Sequence, residues 1–282
     1  MTKRICACML LMLVAIGANL GFLNWKNMEH RERMNRIEIV YGMRDQMLYQ
    51  GVNQVAQRLE QHENWLPRLV AEKMPSVVAI HMEHATQVDF RTGKLAVASA
   101  TGLVLDDQGA ILTAAHVIDQ GWEKQARRLW VEFADGTERE VLRIAHTQGR
   151  DPDIGVLWID PNELDLQPVA LDLEVKVVAG DRAVVIGSPM DLDHTVTVGV
   201  VSAMRDIHNL MGPTYLHVQV DAPINGGNSG GPVFNARGEL IGVVSWSHQA
   251  NSLSFLVSLP EVGRGLGSLC EPIDVVLHGE QE

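Results

Sequence analysis

The chain is 282 residues long and 46% hydrophobic, enough to bury a sizeable core in one large domain with appendages, which excludes a disordered polar tail. A formal net charge of -12, from 35 acidic against 23 basic residues, excludes nucleic acid as a partner, because binding to phosphate rests on clustered Lys and Arg. Of the three cysteines, Cys6 and Cys8 fall in the first apolar stretch and Cys270 stands alone beyond it, so no disulfide is expected outside that stretch and stability must come from packing.

From Ile5 to Trp25 no residue is charged and Leu, Met, Ala and Ile dominate; about 20 such residues in a helix cover a ~30 Å hydrocarbon core, so residues 1–25 read as a transmembrane anchor. A cleaved signal peptide is the rival reading, because Ala15-Ile16-Gly17 places small residues late in the run. Lys3 and Arg4 precede the run while Lys26, Arg31, Arg33 and Arg36 follow it, so charge alone does not set the orientation. Residues 26–68 turn polar, with apolar positions at helical spacing and only Gly42 and Gly51 weakening a helix before Pro67, which predicts a helical stalk. Leu48, Val52, Val55, Leu59 and Leu66 alternate steps of four and three, as in a coiled-coil seam that Glu38, Asp45 and His62 cut short. An oligomerising stalk and a single amphipathic helix both satisfy that pattern.

After Pro75 the chain breaks into short runs rich in Val, Ile, Leu and Thr, separated by Gly, Asp, Asn and Pro. Strands are expected at 76–80, 101–105, 129–133, 183–186, 195–202, 216–220, 240–245 and 254–258. Their density fits an antiparallel barrel or sandwich, and the lack of alternating long helices disfavours an α/β sheet. Beyond Pro260 too few residues remain for another domain of ordinary size, so 263–282 read as a tail.

Three segments carry chemistry. Gly226-Gly227-Asn228-Ser229-Gly230-Gly231-Pro232 surrounds a serine with glycines, where a sharp turn lets the N–H groups of Gly227 and Ser229 converge on an oxygen that becomes negative in acyl transfer. A glycine-rich turn between strands is the bland alternative for that segment alone. Ile111-Leu112-Thr113-Ala114-Ala115-His116-Val117 puts a histidine straight after an apolar strand and two small residues, and Asp151-Pro152-Asp153-Ile154-Gly155-Val156-Leu157 puts a carboxylate at the start of another. Each of these would be structural if it stood alone. Together, in the order His, Asp, Ser, they match one of the serine protease folds, an antiparallel double barrel.

On these residues the chain resembles the trypsin-like proteases of the HtrA (Deg) family over about Leu69 to Pro260. Two further segments resemble the family: 70–80, its entry into the first strand, and Thr195-Val196-Thr197-Val198-Gly199-Val200-Val201-Ser202-Ala203, its characteristic strand in the second barrel. Five matches in the right order make the resemblance specific. It implies a mostly β, trypsin-like double antiparallel β-barrel over 69–262, preceded by the N-terminal transmembrane helix and helical stalk. It also implies a serine endopeptidase acting on unfolded or extended segments of other proteins, in protein quality control outside the cytoplasm. Ser229 would be the nucleophile, His116 the general base and Asp153 the residue that orients His116, with Gly227, Asn228 and Ser229 forming the oxyanion hole. Asp153 is preferred to Asp151 because only Asp153 directly precedes the apolar strand.

Asn228 stands where digestive relatives carry an aspartate that pairs with a new N-terminus, so no propeptide cleavage is expected. Pro223 falls at the base of the first specificity pocket and offers a basic side chain no counter-charge. Ser245, Trp246 and Ser247 would supply the strand edge for an extended substrate. A PDZ domain is not expected after the protease, no cofactor or metal is implied (His81 and His84 lack the further ligands that zinc needs), and by resemblance a homo-oligomer would be a trimer. Two other functions remain open: a peptide-holding scaffold that retains the protease fold, and a protease that processes only its own stalk. Because a base must be neutral, activity is expected to fall as pH drops through about 6 to 7.

Overall fold

The computed structural model describes residues 2–90, 92–119, 126–188, 195–207, 215–248, 253–269 and 273–274, and the chain divides into two compact units after Asn64. The first is one helix, α1 (Thr2–Glu63), which runs unbroken through Gly42 and Gly51. The side chains of residues 1–11, 13–15, 37 and 58–63 lie outside the described residues, so much of the anchor expected over Ile5–Trp25 does too, as does Leu59 of the seam. Among the described residues no helix is long and apolar enough to cross a membrane. Past Trp25, the charges of Lys26, Glu29, Arg31, Glu32 and Arg33 fall within about two turns and close off any further apolar window. Leu48, Val52 and Val55 are exposed along α1. Leu66, placed at the end of the same seam, belongs elsewhere: the helix ends at Glu63, and Leu66 packs against the core of the second unit.

That unit opens with α2 (Trp65–Lys73), where Pro67 sits in the first turn and removes an N–H that has no helical partner anyway. Trp65, Leu66, Leu69 and Val70 of α2 face the core. Six antiparallel strands follow: β1 (Val77–Val88), β2 (Leu95–Val104), β3 (Ala110–Thr113), β4 (Ala126–Glu132), β5 (Glu138–His146) and β6 (Gly155–Ile159). They run in the order β5-β4-β1-β2-β3-β6, and β5 pairs with β6 to close the first barrel. The second closed barrel contains β7 (Arg182–Gly187), β8 (Thr195–Ile207), β9 (Tyr215–Val220), β10 (Pro232–Phe234), β11 (Leu240–His248) and β12 (Leu253–Ser258). The run pattern left a barrel and a sandwich open; the mostly β double barrel that the family resemblance implied is the fold observed, and each expected strand starts or ends within a few residues of its place.

Two of the three core clusters fill one barrel each: Ile80, Met82, Ile111, Ile118 and Leu157 in the first, Val185, Val218, Ile241 and Leu256 in the second. The remaining one joins them, with Leu103, Leu112 and Ile154 from the first barrel packed in one cluster with Val184, Phe234 and Val243 from the second. Burying side chains of this size stabilises by roughly 1.5–3 kcal/mol apiece, so the cleft between the barrels rests on a continuous apolar seam. Helix α3 (Ala115–Ile118) follows β3 and helix α4 (Leu259–Gly267) follows β12; Gly265 of α4, within the expected tail, lies against Pro152 and Ile154. A two-residue strand, β13 (Ile273–Asp274), adds to β5.

Candidate active site

His116 comes from the one-turn helix α3 (Ala115–Ile118) that begins where β3 stops. β3 pairs with β6, setting Thr113 opposite Gly155, so the residue two places before Gly155 is brought beside the start of α3. That residue is Asp153. Its Oδ1 accepts the backbone N–H of His116 at 2.9 Å and its Oδ2 lies 2.7 Å from His116 Nδ1. Its loop is held by Thr147, whose N–H donates to the Ile154 carbonyl at 3.0 Å and whose hydroxyl donates to the Pro152 carbonyl. Asp151, the weaker candidate, points the other way and pairs with exposed Arg264 at 2.6 Å.

Asp153 is buried, with 4% of its surface exposed. Burial alone would raise its pKa, but hydrogen bonds and charge from His116, followed by the Ser245 hydroxyl, hold the carboxyl below the usual carboxylate range. An ionised Oδ2 can only accept a hydrogen bond, so Nδ1 is assigned as N–H and Nε2 keeps its lone pair. Ser245 Oγ donates to the same Oδ2 at 2.6 Å. Ser245 was expected at the substrate edge, yet its side chain turns inward. A register shift between Val244 and Trp246 leaves Ser245 without a partner on β12, and a bulge of this kind re-aims a side chain.

Ser229 is half-buried in the loop between β9 and β10. Gly227 has φ +100° and Gly230 φ +80°, both in the left-handed region. A Cβ on Gly230 would also strike the Thr113 hydroxyl and come within 2.8 Å of the Ala114 nitrogen, so glycine is required here on two counts. That close approach brings the Ser229 loop against Thr113 and Ala114, the residues just before the helix that carries His116. No hydrogen bond joins the Ser229 hydroxyl to His116 among the described residues. Asn228 donates its N–H to the Asn225 carbonyl at 3.1 Å, which removes it from the oxyanion donors; its buried Oδ1 has no hydrogen-bond partner. The N–H groups of Gly227 and Ser229 donate to no described backbone carbonyl.

The loop is tied to β11 by Gly230 N–H to the Val244 carbonyl at 2.8 Å and Val244 N–H to the Gly231 carbonyl at 2.9 Å. β10 pairs with β11 only as far as Val243, so beyond Val244 that edge of β11 has no strand partner among the described residues. Trp246 and Ser247 lie on it. The Trp246 ring stacks on Phe255 at 4.0 Å and its indole N–H donates to His217 Nε2 at 3.4 Å. His217 is buried, its Nδ1 bonded to the Tyr215 carbonyl. The Tyr215 hydroxyl is pushed up to about 12, first by burial and then by the charge of Asp153. Pro223 is exposed and its carbonyl accepts the Thr197 hydroxyl at 2.9 Å. No group of three His, Cys, Asp or Glu side chains suited to a metal occurs among the described residues.

Comparison with known proteins places this geometry in a family. Residues 100–243 match the trypsin-like peptidase domain. The chain is 35% identical over 215 residues to "Protease Do-like 1, chloroplastic" of Arabidopsis thaliana, covering 73% of this chain and 47% of that protein. It is 39% identical over 148 residues to the "Probable periplasmic serine endoprotease DegP-like" of Pseudomonas fluorescens, covering 51% and 28% respectively. The chain thus spans about half the length, or less, of the curated relatives it matches. Among solved structures, Deg5 superposes with TM-score 0.60 and 28% identity over 73% of this chain and 94% of that one. The serine endoprotease of Yersinia pestis gives TM-score 0.56 and 27% identity over 70% and 64%. The chain therefore belongs to the trypsin-like peptidase family, and its double barrel is a serine protease domain of the HtrA/DegP kind.

Proposed function

We propose that this protein is a serine endopeptidase that cleaves extended or unfolded segments of other polypeptides. The observation that carries the reading is the 2.7 Å contact of His116 Nδ1 with buried Asp153, with the loop that carries Ser229 packed against Thr113 and Ala114. Ser229 Oγ attacks the substrate carbonyl carbon as His116 Nε2 takes its proton, and the carbonyl oxygen becomes an oxyanion facing the Gly227 and Ser229 N–H groups. His116 then gives that proton to the leaving amine, and the acyl-enzyme is released by water through the same exchange. Asp153 stays ionised throughout, keeping the Nδ1 proton in place and stabilising the imidazolium.

An extended substrate pairs by main-chain bonds with the open edge of β11 at Trp246 and Ser247, one strand position from the Ser229 loop. Pro223 supplies no charge, so the residue before the cleaved bond is small or aliphatic and not basic. The DegP-like relatives are described as periplasmic, and this supports a protease unit acting outside the cytoplasm. An anchoring role for 5–25 rests on the composition of that run, and assembly into a trimer rests on resemblance.

Incubating the full chain with a denatured protein and sequencing the fragments tests the reading. The wild type should yield discrete fragments after non-basic residues, and Ser229→Ala none. A scaffold that only holds peptides would bind the denatured protein equally well in both forms and cut it in neither. A protease confined to its own stalk would shorten itself and leave the added protein whole.

A further inference from the structure

Thr101, in β2, touches neither the imidazole nor the serine hydroxyl, yet all of its polar groups are committed, its N–H and hydroxyl across the junction of the two barrels and its carbonyl within the first. It is fully buried. Its N–H donates to the Ser229 carbonyl at 2.9 Å, and its carbonyl accepts the Thr113 hydroxyl at 2.9 Å. Its own hydroxyl donates to the Gly227 carbonyl at 2.7 Å and accepts the N–H of Ser188 at 3.0 Å. Thr113 lies three residues before His116, and Ser188 directly follows β7. One residue of the first barrel thus holds the chain leading to His116, the exit of β7 and both ends of the Gly227–Ser229 segment.

Direction matters here. A hydroxyl has one proton, and with the Ser188 N–H filling the acceptor side, that proton is left for Gly227. The Gly227 carbonyl is therefore pinned, and with it the peptide it shares with the Asn228 N–H; the Gly227 N–H lies across the Cα from that peptide, at a φ of +100° that glycine holds only loosely unless the neighbouring peptide is fixed. Turning that peptide away would strand a buried hydroxyl and a buried carbonyl without partners. We infer that Thr101 is a positioning residue for the oxyanion hole: its hydroxyl fixes the Gly227 carbonyl, and its N–H fixes the Ser229 carbonyl, so that the N–H groups of Gly227 and Ser229 stay aimed at the substrate oxygen.

The inference rests on the peptidase reading above. Its test uses the full chain and a peptide spanning a cleavage site mapped in the denatured protein. Thr101→Val keeps the shape and the strand preference but removes the hydroxyl. Losing a whole oxyanion donor costs about 100- to 1,000-fold in kcat; loosening the Gly227 donor while leaving it present, with the backbone bond to Ser229 intact, should cost roughly 10- to 100-fold, with KM within about twofold. Thr101→Ser restores the donor and should return kcat to within about threefold of wild type. A peptide aldehyde, which forms a tetrahedral adduct with Ser229, should lose affinity for Thr101→Val by the same factor as kcat/KM. If Thr101→Val does not fold, Thr101→Cys, a similar-sized and weaker donor, should give an intermediate kcat. A Val or Cys variant that melts earlier but keeps kcat and aldehyde affinity would make Thr101 merely structural and overturn the inference. A wild-type chain inert toward protein overturns the peptidase reading as well.

Discussion

The two barrels hold their shares of the cleft in different ways. In the first, His116 and Asp153 fix each other directly: a short helix and a strand entrance, aligned by the β3–β6 register, let one carboxylate accept from both the ring and the backbone of the histidine. In the second, Ser229 sits in a glycine loop whose conformation is set from outside, by Thr101 of the first barrel and by Val244 of β11. The difference teaches where each half is vulnerable. The His116–Asp153 contact is made within one barrel and takes a single bond from the other, through Ser245, whereas the Ser229 loop depends on neighbours in both barrels.

The hardest break of that comparison is at the nucleophile. Ser229→Ala should lower hydrolysis of a denatured protein by on the order of a million-fold, measured as initial rate, with the thermal midpoint unchanged within a degree or two. Next comes the first-barrel pair: Asp153→Asn keeps the shape but supplies a donor toward Nδ1, reversing the tautomer, and should cost about 10,000-fold in kcat. Ser245→Ala removes the bond that the second barrel makes to that carboxylate. A hydrogen bond to a charged group contributes about 1.5–3 kcal/mol, so the variant should unfold at lower denaturant concentration. Its acid unfolding should also begin at higher pH, because the Asp153 pKa moves back toward the ordinary range.

The smallest effect should come from His217. Burial, against the Tyr215 carbonyl and the charges of Asp153 and Glu261, holds its imidazole below the ordinary histidine range. The unfolded chain therefore binds the extra proton first, and stability rises with pH through that window. Neutral His217 contributes fully above about pH 6.5, and the contribution is lost as pH falls toward the folded value. Thermal melts from pH 7 to 5 should show a falling midpoint in the wild type and a flatter profile in His217→Phe. Equal slopes would remove His217 from the account.

Much of the cleft is legible in the sequence because its residues lie where apolar runs stop. His116 follows one run, Asp153 precedes another, and Ser229 sits among glycines that only a turn requires. Ser245 is not legible this way. Strand alternation makes it one more residue of β11, and only the bulge beside it, set by pairing with β12, turns its hydroxyl onto Asp153. Thr101 looks like an ordinary β-branched strand residue, since its partners lie 12 to 128 positions away in the chain. β5 escapes notice because charged Glu138, Glu140 and Arg143 interrupt it and Leu142 faces outward, leaving only Val141, Ile144 and Ala145 to mark the inner face. Leu66 fits a helical seam by spacing, yet the break after Glu63 gives it to the barrel core, a tertiary outcome that local periodicity cannot encode.

The claim that one serine hydroxyl is activated by His116 and Asp153 is tested most directly by labelling with a fluorophosphonate and locating the adduct by mass spectrometry. The account predicts a single modification, on Ser229, formed rapidly in the wild type and slowed by several orders of magnitude in His116→Ala and Asp153→Asn. Labelling of another serine, or of Ser229 at the same rate in all three chains, would contradict it.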